Sequence, residues 1–196
     1  MLHGRGGSAG DILSLAGALQ QTDVAYIAPQ APDHTWYPQS FLAPLEQNEP
    51  LLSRSLATID AIVNDLAGRG IASDRVALVG FSQGGCLALE FAAQNAGRYG
   101  GVAGLSAGLI GPQSLARDYP GSLAGTRVFL GCSDVDPHIP LERVRLTAKV
   151  LTGMGAAVTE RIYPGMGHTI NQDEIAHLRR LLDGIRVIPR SDRPSA

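Results

Sequence analysis

The sequence predicts an α/β fold, a mostly parallel sheet with helices on both faces. Three observations predict it. Short β-rich apolar runs alternate along the chain with helical patterns, the alternation that builds parallel sheets. One of those runs, 75–81 (RVALVGF), is almost continuously apolar, as a strand buried on both faces requires. The 24 glycines and 12 prolines are scattered rather than clustered, which marks many tight turns and no low-complexity linker.

Five strands are expected: 24–30 (VAYIAPQ), 75–81, 101–107 (GVAGLSA), 126–132 (TRVFLGC) and 157–165 (AVTERIYPG). The first helix, 9–21, carries Ile12, Leu15, Ala16 and Leu19 on one face, with Ser8 as its cap and Asp11 completing a capping box. The second, 47–67, repeats leucine, isoleucine and valine at helical spacing and stops at Gly68-Arg69-Gly70. An amphipathic helix is expected over 83–95, and others over 140–153 and 170–184, the last with Leu178, Leu181 and Leu182 as its apolar stripe. A chain of 196 residues suits one domain, taken as 1–187, followed by a loose tail over 188–196 (IPRSDRPSA).

Composition narrows the function. Hydrophobic residues make up 44% of the chain, enough for one core, and the formal net charge is only −2, with no acidic or basic block. Nothing electrostatic therefore recommends nucleic acid or an anionic membrane surface as a partner. No run approaches the roughly 20 apolar residues of a membrane helix, so no stable membrane insertion is expected. The opening MLHGRGG lacks the regions of a signal peptide. Cys86 and Cys132 are expected to be buried thiols in a reducing compartment, so a cytoplasmic location is expected.

The stretch most informative about chemistry is 76–93, VALVGFSQGGCLALEFAA. A strand ends and a helix begins with almost no connection, so Ser82 must occupy a sharp turn. Gly80 and Gly84 flank it because bulky side chains there would clash as strand and helix close on each other. This is the G-x-S-x-G nucleophile elbow, which lifts the hydroxyl above the carboxyl edge of the sheet. The bland alternative is a turn serine that caps the helix.

A serine hydroxyl is a poor nucleophile without a base, and this elbow expects an acid and then a histidine downstream. Asp134 and Asp136 follow the strand at 126–132; local position does not separate them. His168 lies in a glycine-rich loop after the last strand. His3 and His34 precede the elbow, His138 is too near the aspartates in sequence, and His177 sits inside the last helix. The residues LHGRGG (2–7) read as the end of a strand running into an oxyanion loop. The backbone N–H of Arg5 and that of Gln83, the residue after the serine, are the expected donors. His3 is expected to brace this loop. Trp36, within an apolar-aromatic segment, is a candidate for an acyl or aryl pocket, with Leu109 and Ile110 as its opposite wall. No metal and no cofactor is expected: the histidines are scattered, and the HGRGG glycines lack the spacing of a dinucleotide loop.

With these pieces in place, the chain resembles the phospholipase/carboxylesterase family of α/β-hydrolases, which includes the acyl-protein thioesterases. The likeness spans nearly the whole chain. It rests on LHGRGG, on APQAP and WYPQ within 28–39, on GFSQGG, on GCSDVDPHIP as the acid loop and on YPGMGH as the histidine loop. Alignment to the family's acid motif puts the acid at Asp136, with Cys132 standing where that motif has a histidine. The resemblance implies a small α/β-hydrolase fold without a separate lid domain. It also implies one or two strands before the oxyanion loop. The chain begins inside that loop's own strand, so the expectation is either shortened N-terminal strands, with the sheet trimmed at that edge, or a start that lies farther upstream. The implied activity is hydrolysis of a small-molecule carboxylic ester, with acyl-thioesters or lysophospholipids as alternatives on the same triad. Pairing into homodimers, frequent in the family, is a further implication. A competing reading from another class is a binding module on a hydrolase fold, which the Ser82–Asp136–His168 order disfavours.

Overall fold

The computed structural model describes residues 1–185; the expected tail at 188–196 lies outside them. Four parallel strands form one sheet in sequence order: β1 (Ala77–Phe81), β2 (Gly101–Leu105), β3 (Arg127–Ser133) and β4 (Ala157–Tyr163). They correspond to four of the five expected runs.

Side-chain alternation along these strands divides the interior into two layers. Leu78, Val102, Val128, Leu130 and Cys132 point into one, Val79, Ala103, Leu105 and Phe129 into the other. The first layer is covered by helices α3 (Leu51–Gly68), α4 (Gln83–Gln94) and α5 (Leu141–Gly153). The second is covered by α6 (Gln172–Asp183), through Ile175, Leu178, Leu181 and Leu182, together with Leu19.

Helix α4 differs from expectation. It was read as amphipathic, yet every residue from Gln83 to Ala93 is buried. A helix apolar all round belongs in the centre of a fold, and here the sheet lies beneath it while α3 and the segments around Trp36 and Leu109 enclose its other sides. Truncating one of its core leucines to alanine would cost about 3 kcal/mol.

The helix expected over 9–21 is two short pieces, α1 (Ala9–Leu13) and α2 (Leu15–Leu19). The Ser8–Asp11 capping box forms as expected. The break falls at Ser14, whose hydroxyl donates to the Asp11 carbonyl at 2.6 Å, a local bond that competes with the helical ladder.

The run at 24–30 is not a strand. A strand needs a ladder, and β1 is the edge of the sheet. It is extended only by a single parallel bridge from Leu2 to Gly80, with the Leu2 N–H on the Val79 carbonyl at 2.8 Å. Residues 24–29 therefore run past β1 without pairing. Between the two lies an apolar cavity of about 270 Å³ lined by Leu2, Val24, Tyr26, Ile27, Leu78 and Val79, among others. The Met1 ammonium donates to the Ile27 carbonyl at 2.6 Å, and burial pushes its pKa down to about 6.

Candidate active site

Ser82 closes β1 and opens α4 at φ 53°, ψ −120°. That left-handed conformation is strained for a residue with a Cβ. It is held by the Ser82 N–H on the Leu105 carbonyl at 2.8 Å and by the Cys86 N–H on the Ser82 carbonyl at 2.9 Å. The two glycines singled out from sequence are required by contact. A Cβ on Gly80 would overlap the Gly84 backbone, and one on Gly84 would overlap the Leu2 and His3 carbonyls.

Beyond the carboxyl edge of the sheet, the loops after β3 and β4 bring Asp136 and His168 to Ser82. His168 Nδ1 lies 2.7 Å from Asp136 Oδ2, and Nε2 lies 2.9 Å from Ser82 Oγ. An ionised carboxylate only accepts, so the proton of a neutral ring sits on Nδ1. That leaves Nε2 to accept from the serine hydroxyl. The Asp136 side chain has no exposed surface. Burial alone would raise its pKa. The bond from His168 and the backbone N–H groups of His138 and Ile139 outweigh that, and the carboxyl stays below its ordinary value.

Asp134 does different work. Its Oδ1 accepts the Gly165 N–H at 2.8 Å, while Ser133 Oγ accepts the Gly167 N–H at 3.1 Å. Together they anchor the histidine loop to the end of β3. Sequence position alone did not separate the two aspartates; their geometry does. Cys132 is also nearby, its Sγ 3.8 Å from Asp136 Oδ2. Burial and then the adjacent carboxylate push this thiol up to about 12, so it is neutral at physiological pH.

The glycine-rich loop passes directly beside the serine: a Cβ on Gly4 would lie 3.4 Å from that of Ser82. Arg5 follows, and Gln83 is the first residue of α4. Neither backbone N–H has an acceptor among the described residues. His3 braces the loop, with Nδ1 donating to the Gly4 carbonyl at 2.8 Å and Nε2 accepting from the Ala31 N–H at 3.1 Å.

Trp36, Leu109 and Ile110 were expected to line a substrate pocket; the structure puts them in the core instead. Their exposures are 2%, 0% and 0%. The Trp36 indole donates to the His3 carbonyl at 2.8 Å. The 109–111 segment is fastened by three buried polar side chains. Thr147 accepts from the Leu109 N–H, Glu90 accepts from the Ile110 N–H, and Arg143 donates to the carbonyls of Leu109 and Gly111. The rings that do border His168 are Phe81, at 5.0 Å between centroids, and His138, edge-on at 4.8 Å. Sequence reasoning set His138 aside as a base and missed this contact. His177 instead stacks on Phe129 at 4.6 Å.

Comparison with known proteins identifies the family. The Phospholipase/Carboxylesterase family model matches residues 1–185. A crystal structure of a phospholipase/carboxylesterase from Dyadobacter fermentans superposes with a TM-score of 0.89 at 44% identity, covering 93% of this chain and 87% of that one. Acyl-protein thioesterase 1 of Gibberella zeae is 35% identical over 115 residues, which are 58% of this chain and 49% of that protein. Acyl-protein thioesterase 1 of Saccharomyces cerevisiae is 28% identical over 199 residues, 90% of this chain and 87% of that protein. The chain thus spans about half the length of the Gibberella protein and 61% of a second relative, from Aspergillus fumigatus. A structure of a carboxylesterase from Mesorhizobium loti, at 23% identity and a TM-score of 0.70, shows the shared fold. Motif content, sheet topology and these likenesses converge: the chain belongs to the phospholipase/carboxylesterase family of α/β-hydrolases.

Proposed function

We propose that this chain is a serine hydrolase of carboxylic esters that works through an acyl-enzyme on Ser82. The observation that carries this reading is the continuous hydrogen-bonded line from Asp136 through His168 to a strained Ser82, at 2.7 and 2.9 Å.

The chemistry follows from the geometry. Ser82 Oγ attacks the acyl carbon as its proton passes to His168 Nε2. Asp136 holds the ring in the required tautomer and stabilises the imidazolium that forms. The negative charge on the former carbonyl oxygen is met by the backbone N–H groups of Arg5 and Gln83. Collapse of the tetrahedral intermediate expels the alcohol, which takes the proton from His168. Water then attacks the acyl-enzyme with His168 again as base, and the carboxylic acid leaves.

Short- to medium-chain acyl or aryl esters are the first substrate class proposed. Thioesters are the second, favoured by the acyl-protein thioesterases among the relatives. A thiolate leaves more readily than an alkoxide, so thioester cleavage would depend less on proton delivery by His168. Hydrolysis of p-nitrophenyl acetate, butyrate, octanoate and palmitate, run beside matched acyl-thioesters, tests both. The ester reading predicts turnover that is highest on the shorter acyl chains. Turnover confined to thioesters would transfer the assignment to the second class.

A further inference from the structure

The two residues whose backbone N–H groups would hold the oxyanion lie far apart in the sequence, one near its start and one near its middle. Arg5 lies in a loop and Gln83 begins α4. An oxyanion hole works only if its donors are held at fixed separation before the charge develops. Their side chains converge on one carbonyl. Gln83 Nε2 donates to the Tyr37 carbonyl at 2.7 Å, and Arg5 Nη2 donates to the same oxygen at 2.9 Å. The Arg5 guanidinium continues along the segment, to the Pro38 carbonyl at 3.0 Å and the Gln39 carbonyl at 2.7 Å. The Gln83 Oε1 turns back to accept the Trp36 N–H at 3.0 Å.

The segment they grip is itself fixed. Ser55 of α3 donates to the Trp36 carbonyl at 2.7 Å, and Asn48 accepts the Gln39 N–H at 2.8 Å. Tyr37 is 1% exposed. Trp36 and Tyr37 are buried while Pro38 and Gln39 are exposed, so 36–39 is a rail anchored at its buried end, and both halves of the hole hang from it.

We propose that the Arg5 guanidinium and the Gln83 carboxamide are positioning groups that set the spacing of the oxyanion hole by fastening its two halves to the Tyr37 carbonyl. This rests on the esterase reading above and adds to it why the loop carries an arginine and the elbow a glutamine. The planar guanidinium spans three successive carbonyls; a lysine ammonium is a point donor and cannot. The glutamine accepts and donates at once, which neither glutamate nor methionine does.

The test compares the wild-type protein with Arg5→Lys, Arg5→Met, Gln83→Met and the Arg5→Met/Gln83→Met double variant. Thermal melts establish that each is folded. Three quantities are then measured: kcat and KM on p-nitrophenyl butyrate, inhibition by an alkyl boronic acid as a tetrahedral mimic, and inhibition by butyrate as a planar one. Loss of a whole oxyanion donor costs about 10²–10³ in kcat, so displacement of one should cost about 10- to 100-fold. Boronate affinity should fall by the same factor, with KM and butyrate inhibition unchanged. The double variant should be little worse than the poorer single, because both bonds act on one segment. Arg5→Lys, the mildest change, guards against misfolding of the others and should retain only part of the activity.

Folded variants with kcat and boronate affinity at wild-type level would overturn the proposal while leaving the esterase reading intact. So would losses shared equally by boronate and butyrate, which mark general loosening of the site. A wild-type protein that neither turns over esters nor reacts with a fluorophosphonate would overturn the esterase reading itself, and this proposal with it, before any variant is compared.

Discussion

Asp134 Oδ1 accepts the backbone N–H of Gly165 at 2.8 Å, three residues before His168. That bond holds the loop that delivers the imidazole and leaves Asp136 free to orient the ring. The two aspartates, near neighbours in sequence, should therefore respond differently to substitution. Asp136→Asn should lower kcat on p-nitrophenyl butyrate by about 10³–10⁴, the cost of presenting the wrong tautomer. Asp134→Ala should lower it by about 10-fold, with recovery in Asp134→Asn, whose carbonyl oxygen still accepts. Equal losses at the two positions would contradict the division of roles.

Gly80 tests the elbow as a steric device. A methyl group there would press on the Gly84 backbone, which belongs to a helix start that cannot shift without moving Ser82. Gly80→Ala should destabilise by more than about 4 kcal/mol, the range reserved for severe point changes. Thermal or urea unfolding measures this. A variant that melts close to the wild type would contradict a steric role for Gly80.

Glu174 should make stability depend on pH in an unusual direction. The side chain has no exposed surface, and burial raises its pKa from 4.5 to about 7, against the pull of the Asn171 N–H. A carboxyl whose folded pKa is raised binds its proton more tightly in the native state. The resulting stabilisation is present below pH 4.5 and is lost as pH rises from there to about 7. Glu174→Gln keeps an oxygen for the Asn171 N–H but cannot ionise. Its stability relative to wild type should therefore increase across that interval by about 3 kcal/mol, at about 1.4 kcal/mol per pKa unit. Urea unfolding at pH 4.5, 6 and 8 measures it; a difference that stays constant with pH would remove Glu174 as its source.

How much of this was legible beforehand follows from which features are local. Strands β1 to β3 were readable because a strand buried on both faces must be apolar almost throughout, whereas β4, with Thr159, Glu160 and Arg161 exposed, was readable from its place in the alternation of strands and helices. The elbow was readable because close crossing forces glycine at fixed offsets. The Ser8–Asp11 capping box forms as its spacing indicates, and the equivalent Asn171–Glu174 box was present in the sequence but went unread. The run at 24–30 failed as a strand because pairing depends on a neighbour, and along that edge β1 offers only the bridge to Leu2. Trp36, Leu109 and Ile110 were misplaced because an apolar side chain looks the same in sequence whether it lines a cleft or fills a core. The distinguishing signal lay in Glu90, Arg143 and Thr147, polar residues on inward helix faces that bind the backbone of 109–111. The choice between Asp134 and Asp136 could not come from local position, because both lie at the same strand end; the resemblance to the family's acid motif implied Asp136, and it is Asp136 that meets the imidazole.

The central claim is that Ser82 is an activated nucleophile. It is tested most directly by incubating the folded protein with a fluorophosphonate and mapping the adduct by mass spectrometry, with Ser82→Ala and Asp136→Asn in parallel. The account predicts one stoichiometric adduct, located on Ser82, absent in Ser82→Ala and strongly slowed in Asp136→Asn. A folded wild-type protein left unmodified, or ester hydrolysis that persists in Ser82→Ala, would contradict it.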